Sequence, residues 1–336
     1  MTVRVGINGF GRIGRNFFRA ALAAGADIEV VGVNDLTDNA TLAHLLKYDT
    51  ILGRLPAEVS FSEDSITVGG HTFKALAERD PGALPWGELG ADVVIESTGM
   101  FVDAQKAGGH ITAGAKKVII SAPAKNEDVT LVMGVNEGDY DPATHHIISN
   151  ASCTTNCLAP VVKVIHENLG IRHGQITTIH NPTNTNLVVD APHKDLRRAR
   201  SAMESLAPTS TGSATAIALI YPELKGKLNG HAVRAPVLNA SLTDCVFELK
   251  RATTAEEVNA LFAQAAQGAL AGILGYEVRP LVSADYAGDT RSAIVDALST
   301  LVTDGTMLKV YAWYDNEMGY ACRMVDLACH MREVGF

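Results

Sequence analysis

Residues 3–35 constrain this chain more than any other stretch. VRVGI (3–7) is the continuous apolar run of a strand buried on both faces, and the turn Gly9-Phe10-Gly11-Arg12-Ile13-Gly14 follows it. NFFRAALAAG (16–25) then has helical spacing, and a second apolar run, IEVVGV (28–33), ends at Asn34-Asp35. Strand, tight turn, helix and strand within about 30 residues make parallel sheet, because only a crossover returns the chain in the same direction. In the pattern G-x-G-x-x-G, Gly9 allows the tight turn, Gly11 lets backbone approach a pyrophosphate, and Gly14 lets helix and strand pack closely. The helix start adds free N–H groups and the positive end of its dipole. Asp35 lies where a carboxylate can hold adenosine ribose hydroxyls. It would repel a 2′-phosphate, and no arginine occurs in Asn34-Asp35-Leu36-Thr37. The expected cofactor is therefore NAD rather than NADP.

Further β-like runs at 92–96, 117–121 and 146–149, with a helix expected over 103–114, continue the strand–helix alternation through the first 150 residues. The second half differs. A helix is expected over 154–169, and then longer β-rich runs at 174–180, 230–236, 239–250 and 307–314. Residues 182–210 are polar, hold three prolines and three arginines, and read as a long ordered loop, which inside a domain is functional or interfacial. An amphipathic helix is expected over 254–272, opened by a capping box of Thr254 and Glu257. The fold class is α/β, a doubly wound Rossmann parallel sheet, followed by an α+β domain with a mainly antiparallel sheet. At 336 residues, two domains are the natural division.

Several function classes are excluded. A net charge of −9 argues against nucleic-acid or anionic-membrane binding. The N-terminal stretch lacks the apolar core of a signal peptide, and no run reaches the roughly 20 apolar residues of a membrane span. The five cysteines are odd in number and scattered, which points to reduced thiols in the cytoplasm. Cys153 and Cys157 are separated by three residues, not two, with no His/Cys cluster to complete a zinc site, so no metal is expected.

Cys153 is the candidate nucleophile. Asn150, Ser152, Thr154, Thr155 and Asn156 surround it with polar groups, whereas cysteines ordinarily sit as small apolar residues in a core. A thiol in the first turn of a helix is also favoured as thiolate. Among the eleven histidines, His180 is the favoured partner, because it ends the run QITTIH just before Asn181-Pro182 and so stands at a strand end facing a loop.

With these residues in view, the chain resembles phosphorylating, NAD-dependent glyceraldehyde-3-phosphate dehydrogenases of the bacterial type. The segments that carry the resemblance include VGINGFGRIGR (5–15), HLLKYD (44–49), ESTG (96–99), KKVIISAPAKNED (116–128), SNASCTTNCLAP (149–160), DLRRAR (195–200), PELKGKLNG (222–230) and WYDNE (313–317). The resemblance implies an NAD-binding domain of 1–152 and 320–336 and a catalytic domain of 153–319. It implies oxidation of glyceraldehyde 3-phosphate through a Cys153 hemithioacetal and thioester, with His180 as base and inorganic phosphate as second substrate. Carried over, it places Gly9, Gly11, Arg12, Ile13, Gly14, Asp35, Arg79, Thr98, Gly99, Ser121 and Asn316 on the cofactor. Thr183 and Arg234 would hold the substrate phosphate, and Ser152, Thr154, Thr211, Gly212 and Arg200 the inorganic one. Arg197 and Arg198 would face subunit contacts in a homotetramer.

The chain departs from the family pattern in Asn181-Pro182-Thr183-Asn184-Thr185-Asn186, at Thr215, in Leu238-Asn239-Ala240 and at Met318. Pro182 fixes its own φ and restricts Asn181. One account is drift with compensated packing. The other is a specialised copy of the same chemistry, using arsenate in organoarsenical resistance or evading a thiol-directed inhibitor. An erythrose 4-phosphate dehydrogenase and a catalytically silent binding protein are the remaining alternatives.

Overall fold

A computed structural model describes residues 2–336. The chain divides into two compact units, residues 1–152 with 321–336, and residues 153–320. The first unit is built on a nine-stranded sheet. Its spatial order is Val129–Thr130, Ile147–Ser149, Lys117–Ile120, Val93–Glu96, Val3–Asn8, Ile28–Asn34, His71–Leu76, Ser65–Val68 and Val59–Phe61. The first seven run parallel and the last two add antiparallel pairings. The chain leaves Val3–Asn8 toward one neighbour and returns later on its other side at Val93–Glu96, which places the topological switch between those two strands.

Every strand expected in this half is present. Those at 59–61, 65–68 and 71–76 were not expected, because their exposed faces carry Ser60, Thr72 and Lys74 and break the apolar runs. The helix expected over 103–114 is two single turns, Ala104–Ala107 and Gly109–Thr112, broken at Gly108-Gly109. Gly109 also packs closely, since a Cβ there would lie 3.1 Å from both the Gly82 nitrogen and Pro81 Cβ. The core is aromatic at one end, with Phe10, Phe18 and Phe73 in mutual contact, and Trp86 fills the space above Gly6.

The glycine turn is sterically committed. Gly9 has φ +93°, and a Cβ there would lie 2.6 Å from the Thr98 nitrogen. A Cβ on Gly14 would lie 2.2 Å from the Gly9 carbonyl oxygen. Gly14→Ala is therefore expected to push helix from strand and cost about 1–3 kcal/mol, with weaker NAD binding. A urea midpoint and NAD affinity both equal to wild type would contradict this.

The second unit carries a mixed sheet in the order Ala207–Ser210, Leu228–Arg234, Ile171–His180, Ser241–Leu249, Met307–Tyr314, Ala293–Asp296 and Leu274–Glu277, with Leu301–Thr303 beside Met307–Tyr314. Two pairings are parallel and the rest antiparallel. Ser241–Leu249 alternates buried and partly buried residues, as a strand with one core face must. The helix Cys153–Leu169 buries Cys157, Leu158, Val161, Val162 and Ile165 completely. The helix expected from 254 ends at Gln267, short of 272. Only half of its capping box forms. Thr254 accepts from the Glu257 N–H at 3.2 Å, while the Glu257 carboxylate is taken by Arg251 and Thr253. Residues 182–206 form neither helix nor strand, and the loop closes with the strand Ala207–Ser210.

Candidate active site

In the first unit, the turn from Val3–Asn8 into the helix Arg12–Ala24 is tied to Asp35, whose carboxylate accepts from the Phe10 N–H at 2.9 Å and from the Thr37 N–H at 3.0 Å. Gly11 and Gly99 face open space, with nothing within 4 Å of a Cβ on either. A backbone that a ligand approaches closely has this property, so the turn fits a dinucleotide diphosphate. Arg12 and Ile13 begin the helix, and the Arg12 guanidinium pairs with Asp49. Ser121 follows the strand Lys117–Ile120 and its N–H donates to the Glu96 carbonyl at 2.9 Å. Thr98 turns inward, since its N–H and hydroxyl both donate to Glu96 Oε1, at 2.9 and 2.5 Å. Arg79 is exposed beside Glu78, whose N–H donates to Asn34.

In the second unit, Cys153 opens its helix and His180 ends the strand Ile171–His180. Cys153 Sγ lies 3.5 Å from His180 Nε2. On the far side of the ring, Nδ1 lies 2.7 Å from the Asn181 carbonyl oxygen and 2.8 Å from Arg234 Nη1, which itself donates to that oxygen at 2.9 Å. A carbonyl oxygen only accepts, and it is the nearer contact of Nδ1, so we assign the ring proton to Nδ1, with Nδ1–H and Nη1–H converging on that oxygen. That leaves the Nε2 lone pair facing the thiol. Burial and then the Arg234 charge push His180 down to about 3, so its resting imidazole is neutral. Tyr314 packs edge-on against the His180 ring, and its buried hydroxyl joins those of Thr154 and Thr178, each at 2.8 Å.

The thiol differs from the sequence expectation. Burial pushes Cys153 up, opposed first by the Arg234 charge and then by hydrogen bonds from Thr154. Counter-charge from Arg234 thus does more than the local helix start. Cys153 is partly buried, while Cys157 is fully buried and its thiol is pushed up to about 12.

Arg234 Nε is buried with no hydrogen-bond partner among the described residues, as a donor awaiting an anion would be. The anion residues otherwise separate. Thr183 is exposed and its hydroxyl meets that of Thr185 at 3.0 Å. Thr211 bonds Ser213 beside Gly212, which precedes the short helix Ser213–Ala216. The Arg200 side chain is 68% exposed and pairs with Asp190 at 2.6 Å. Arg198 is held within the chain by Thr209 at 3.0 Å and Thr185 at 2.8 Å, and its charge reaches both His180 and Arg234. Nothing in the sequence DLRRAR distinguishes these arginines. Only the hydroxyls facing Arg198 do.

Two of the departures from the family pattern meet in space. Asn181 is 1% exposed; its side-chain N–H donates to the Leu238 carbonyl at 3.1 Å and its backbone N–H to Ser241 at 3.3 Å. Ser241 in turn donates to Asn316 Oδ1 at 3.2 Å, turning the Asn316 amide N–H groups away from Ser241. Thr215 bonds only locally, to the Gly212 carbonyl at 2.9 Å, and nothing in the structure explains Met318 at its helix start.

Known proteins match along the whole chain. Residues 3–104 match the family model "Glyceraldehyde 3-phosphate dehydrogenase, NAD binding domain", and residues 152–316 match "Glyceraldehyde 3-phosphate dehydrogenase, C-terminal domain". The chain is 61% identical to a glyceraldehyde-3-phosphate dehydrogenase of Geobacillus stearothermophilus, covering 100% of both chains. It is 61% identical to one of Streptomyces coelicolor over 97% of this chain and 98% of the relative. Against glyceraldehyde-3-phosphate dehydrogenase 1 of Bacillus subtilis the identity is 58%, over 100% of both. No helix among the described residues is long and apolar enough to cross a membrane. With two family models spanning both units and relatives matched end to end, the chain belongs to the NAD-dependent glyceraldehyde-3-phosphate dehydrogenase family.

Proposed function

We propose that the chain oxidises D-glyceraldehyde 3-phosphate to 1,3-bisphosphoglycerate with NAD and inorganic phosphate. The observation that carries this reading is the Cys153–His180–Arg234 alignment, a thiol 3.5 Å from a neutral imidazole backed by a guanidinium at 2.8 Å. Cys153 Sγ adds to the aldehyde carbon as its proton passes to His180 Nε2, which returns it to the new oxyanion. His180 then accepts the hemithioacetal hydroxyl proton as the carbon is oxidised, leaving a thioester on Cys153. Bound NAD supplies the hydride acceptor. A phosphate oxygen attacks the thioester, sulfur leaves as the acyl phosphate forms, the proton held on His180 returns to Cys153 Sγ, and the proton lost by the phosphate passes to solvent.

Gly9, Gly11, Arg12, Ile13 and Gly14 would hold the diphosphate, Asp35 the adenosine ribose, and Arg79, Thr98, Gly99 and Ser121 the length of the dinucleotide. Asn316 would meet the carboxamide with its free amide hydrogens. Arg234 and Thr183 suit the substrate phosphate. Arg198 joins Ser152, Thr154, Thr211 and Gly212 for the attacking phosphate, while Arg200 is committed to Asp190 on the surface. The apolar side chains of Val188, Val189, Leu196, Met203 and Leu206 on the 182–210 loop are all exposed. They support a homotetramer in which this loop is covered by a neighbouring subunit. Five free cysteines suit a reducing cytoplasm.

The relatives all carry the plain dehydrogenase name, so the arsenate-linked, inhibitor-resistant and erythrose 4-phosphate readings gain nothing from them. Without phosphate, the enzyme should give about one NADH per active site and stop, because the thioester has no acceptor. Added phosphate should restore steady turnover. A steady rate that ignores phosphate would overturn the assignment.

A further inference from the structure

Beneath the glycine turn lies a buried polar cluster that no step above uses. Glu96 ends the strand Val93–Glu96 and is 2% exposed; Asn8, at the end of Val3–Asn8, is 1% exposed; His110 and Trp86 are 0% exposed. Hydrogen-bond directions are fixed throughout. The Asn34 amide is oriented by the Glu78 backbone, donating to its carbonyl at 2.8 Å and accepting from its N–H at 2.8 Å. Asn34 donates to Asn8 Oδ1 at 2.7 Å, so Asn8 Nδ2 must donate, and it meets Glu96 Oε2 at 2.6 Å. Trp86 Nε1–H donates to His110 Nδ1 at 3.0 Å, which places the ring proton of a neutral His110 on Nε2, 3.0 Å from Glu96 Oε2. The 3.4 Å approach of Asn8 Nδ2 to His110 Nε2 is then two donors converging on one oxygen. Glu96 Oε1 receives the Thr98 N–H and the Thr98 hydroxyl, whose own oxygen accepts from the Met100 N–H at 3.0 Å.

Three N–H donors, from Asn8, His110 and Thr98, and the Thr98 hydroxyl converge on the two Glu96 oxygens, a set that suits a carboxylate. No lysine or arginine pairs with it among the described residues, and the neutral His110 supplies no charge. A buried charge without a counter-ion is costly to a fold. This one sits where the strand Val93–Glu96 meets Val3–Asn8, the switch point at whose carboxyl ends a dinucleotide lies in such sheets. With Asp35 placed to draw adenosine to the Ile28–Asn34 side, the nicotinamide half would lie on the Val93–Glu96 side.

We propose that the Glu96 carboxylate is a specificity-determining charge of the cofactor site, favouring the oxidised, cationic nicotinamide over the neutral reduced one. The proposal rests on the assignment of this crevice to NAD. The adenosine and diphosphate are common to both redox states, so a fixed charge near the ring changes the difference between them and not the shared part. At an effective dielectric near 20, a unit charge placed about 10 Å from the ring would shift such a preference on the order of tenfold.

The test is equilibrium binding. Kd values for NAD+ and NADH are measured by calorimetry on wild type, Glu96→Gln and His110→Gln. Glu96→Gln keeps the size and removes the charge, and should raise the Kd of NAD+ about tenfold relative to that of NADH. His110→Gln disturbs the same packing while keeping the carboxylate, and should leave the ratio within about twofold of wild type. Equal change for both cofactors in Glu96→Gln, or an equal shift of the ratio in both variants, would overturn the proposal. If Glu96→Gln fails to fold, wild type decides, because a Kd for NADH equal to or below that for NAD+ contradicts the expected preference. Failure of wild type to bind either cofactor would instead sink the assignment of the crevice to NAD.

Discussion

Cys153→Ser is expected to lower kcat/KM by about 10⁴-fold or more, equivalent to roughly 5.5 kcal/mol of transition-state stabilisation, while leaving NAD binding intact. A serine hydroxyl is far less acidic than a thiol and needs a correspondingly stronger base. The base available is weak, because burial and Arg234 hold His180 at about 3. Cys157 cannot substitute. It is fully buried, its thiol is pushed up to about 12, and its Sγ lies against the Ala312 carbonyl at 3.8 Å. The phosphate-free burst should vanish in Cys153→Ser, since no thioester forms. A variant keeping a hundredth of wild-type turnover would mean that another group makes the covalent bond.

The second large effect belongs to His180→Asn, expected to reduce kcat by about 10³-fold with little change in NAD affinity. Its thermodynamic signature is separate from its kinetic one. His180 is buried and neutral, with a folded-state pKa of about 3 against roughly 6.5 in an unfolded chain. Between those values the unfolded chain binds a proton that the folded chain refuses. Wild type therefore keeps this contribution above about pH 6.5 and loses it as pH falls toward 3, by up to about 1.4 kcal/mol per pH unit. Asn at 180 has no such proton, so urea midpoints measured from pH 6.5 to 4.5 should fall less steeply in the variant. Parallel slopes for the two proteins would show that His180 is not the buried neutral group described.

Much of this was legible beforehand, and the gaps have physical causes. The parallel sheet could be read because strands buried on both faces appear as unbroken apolar runs, as in VRVGI and IEVVGV. The strands at 59–76 could not, since a sheet face exposed to water carries polar residues that resemble a loop. Cys153 and His180 could be singled out by their neighbours. Their protonation could not, because burial is a property of the assembled unit, and it reverses the direction that a helix start alone suggests for the thiol. Arg198 was passed over for the same reason. Its partners Thr185 and Thr209 lie 13 and 11 residues away within a stretch without periodicity. The Glu96–His110 pair, 14 residues apart on a strand and a helical turn, left no pattern to find.

The bond from Asn181 to the Leu238 carbonyl joins two segments 57 positions apart, both of which depart from the family pattern. Its consequence is a coupling between the two segments. A small residue at 181 leaves the 238 segment untethered, and a different backbone path at 238 strands a buried amide. Reverting either segment alone should cost more than reverting both, so the two changes are expected to be non-additive. At this spot the two departures act as one coupled unit, which a double-mutant cycle across 181 and 238 would expose.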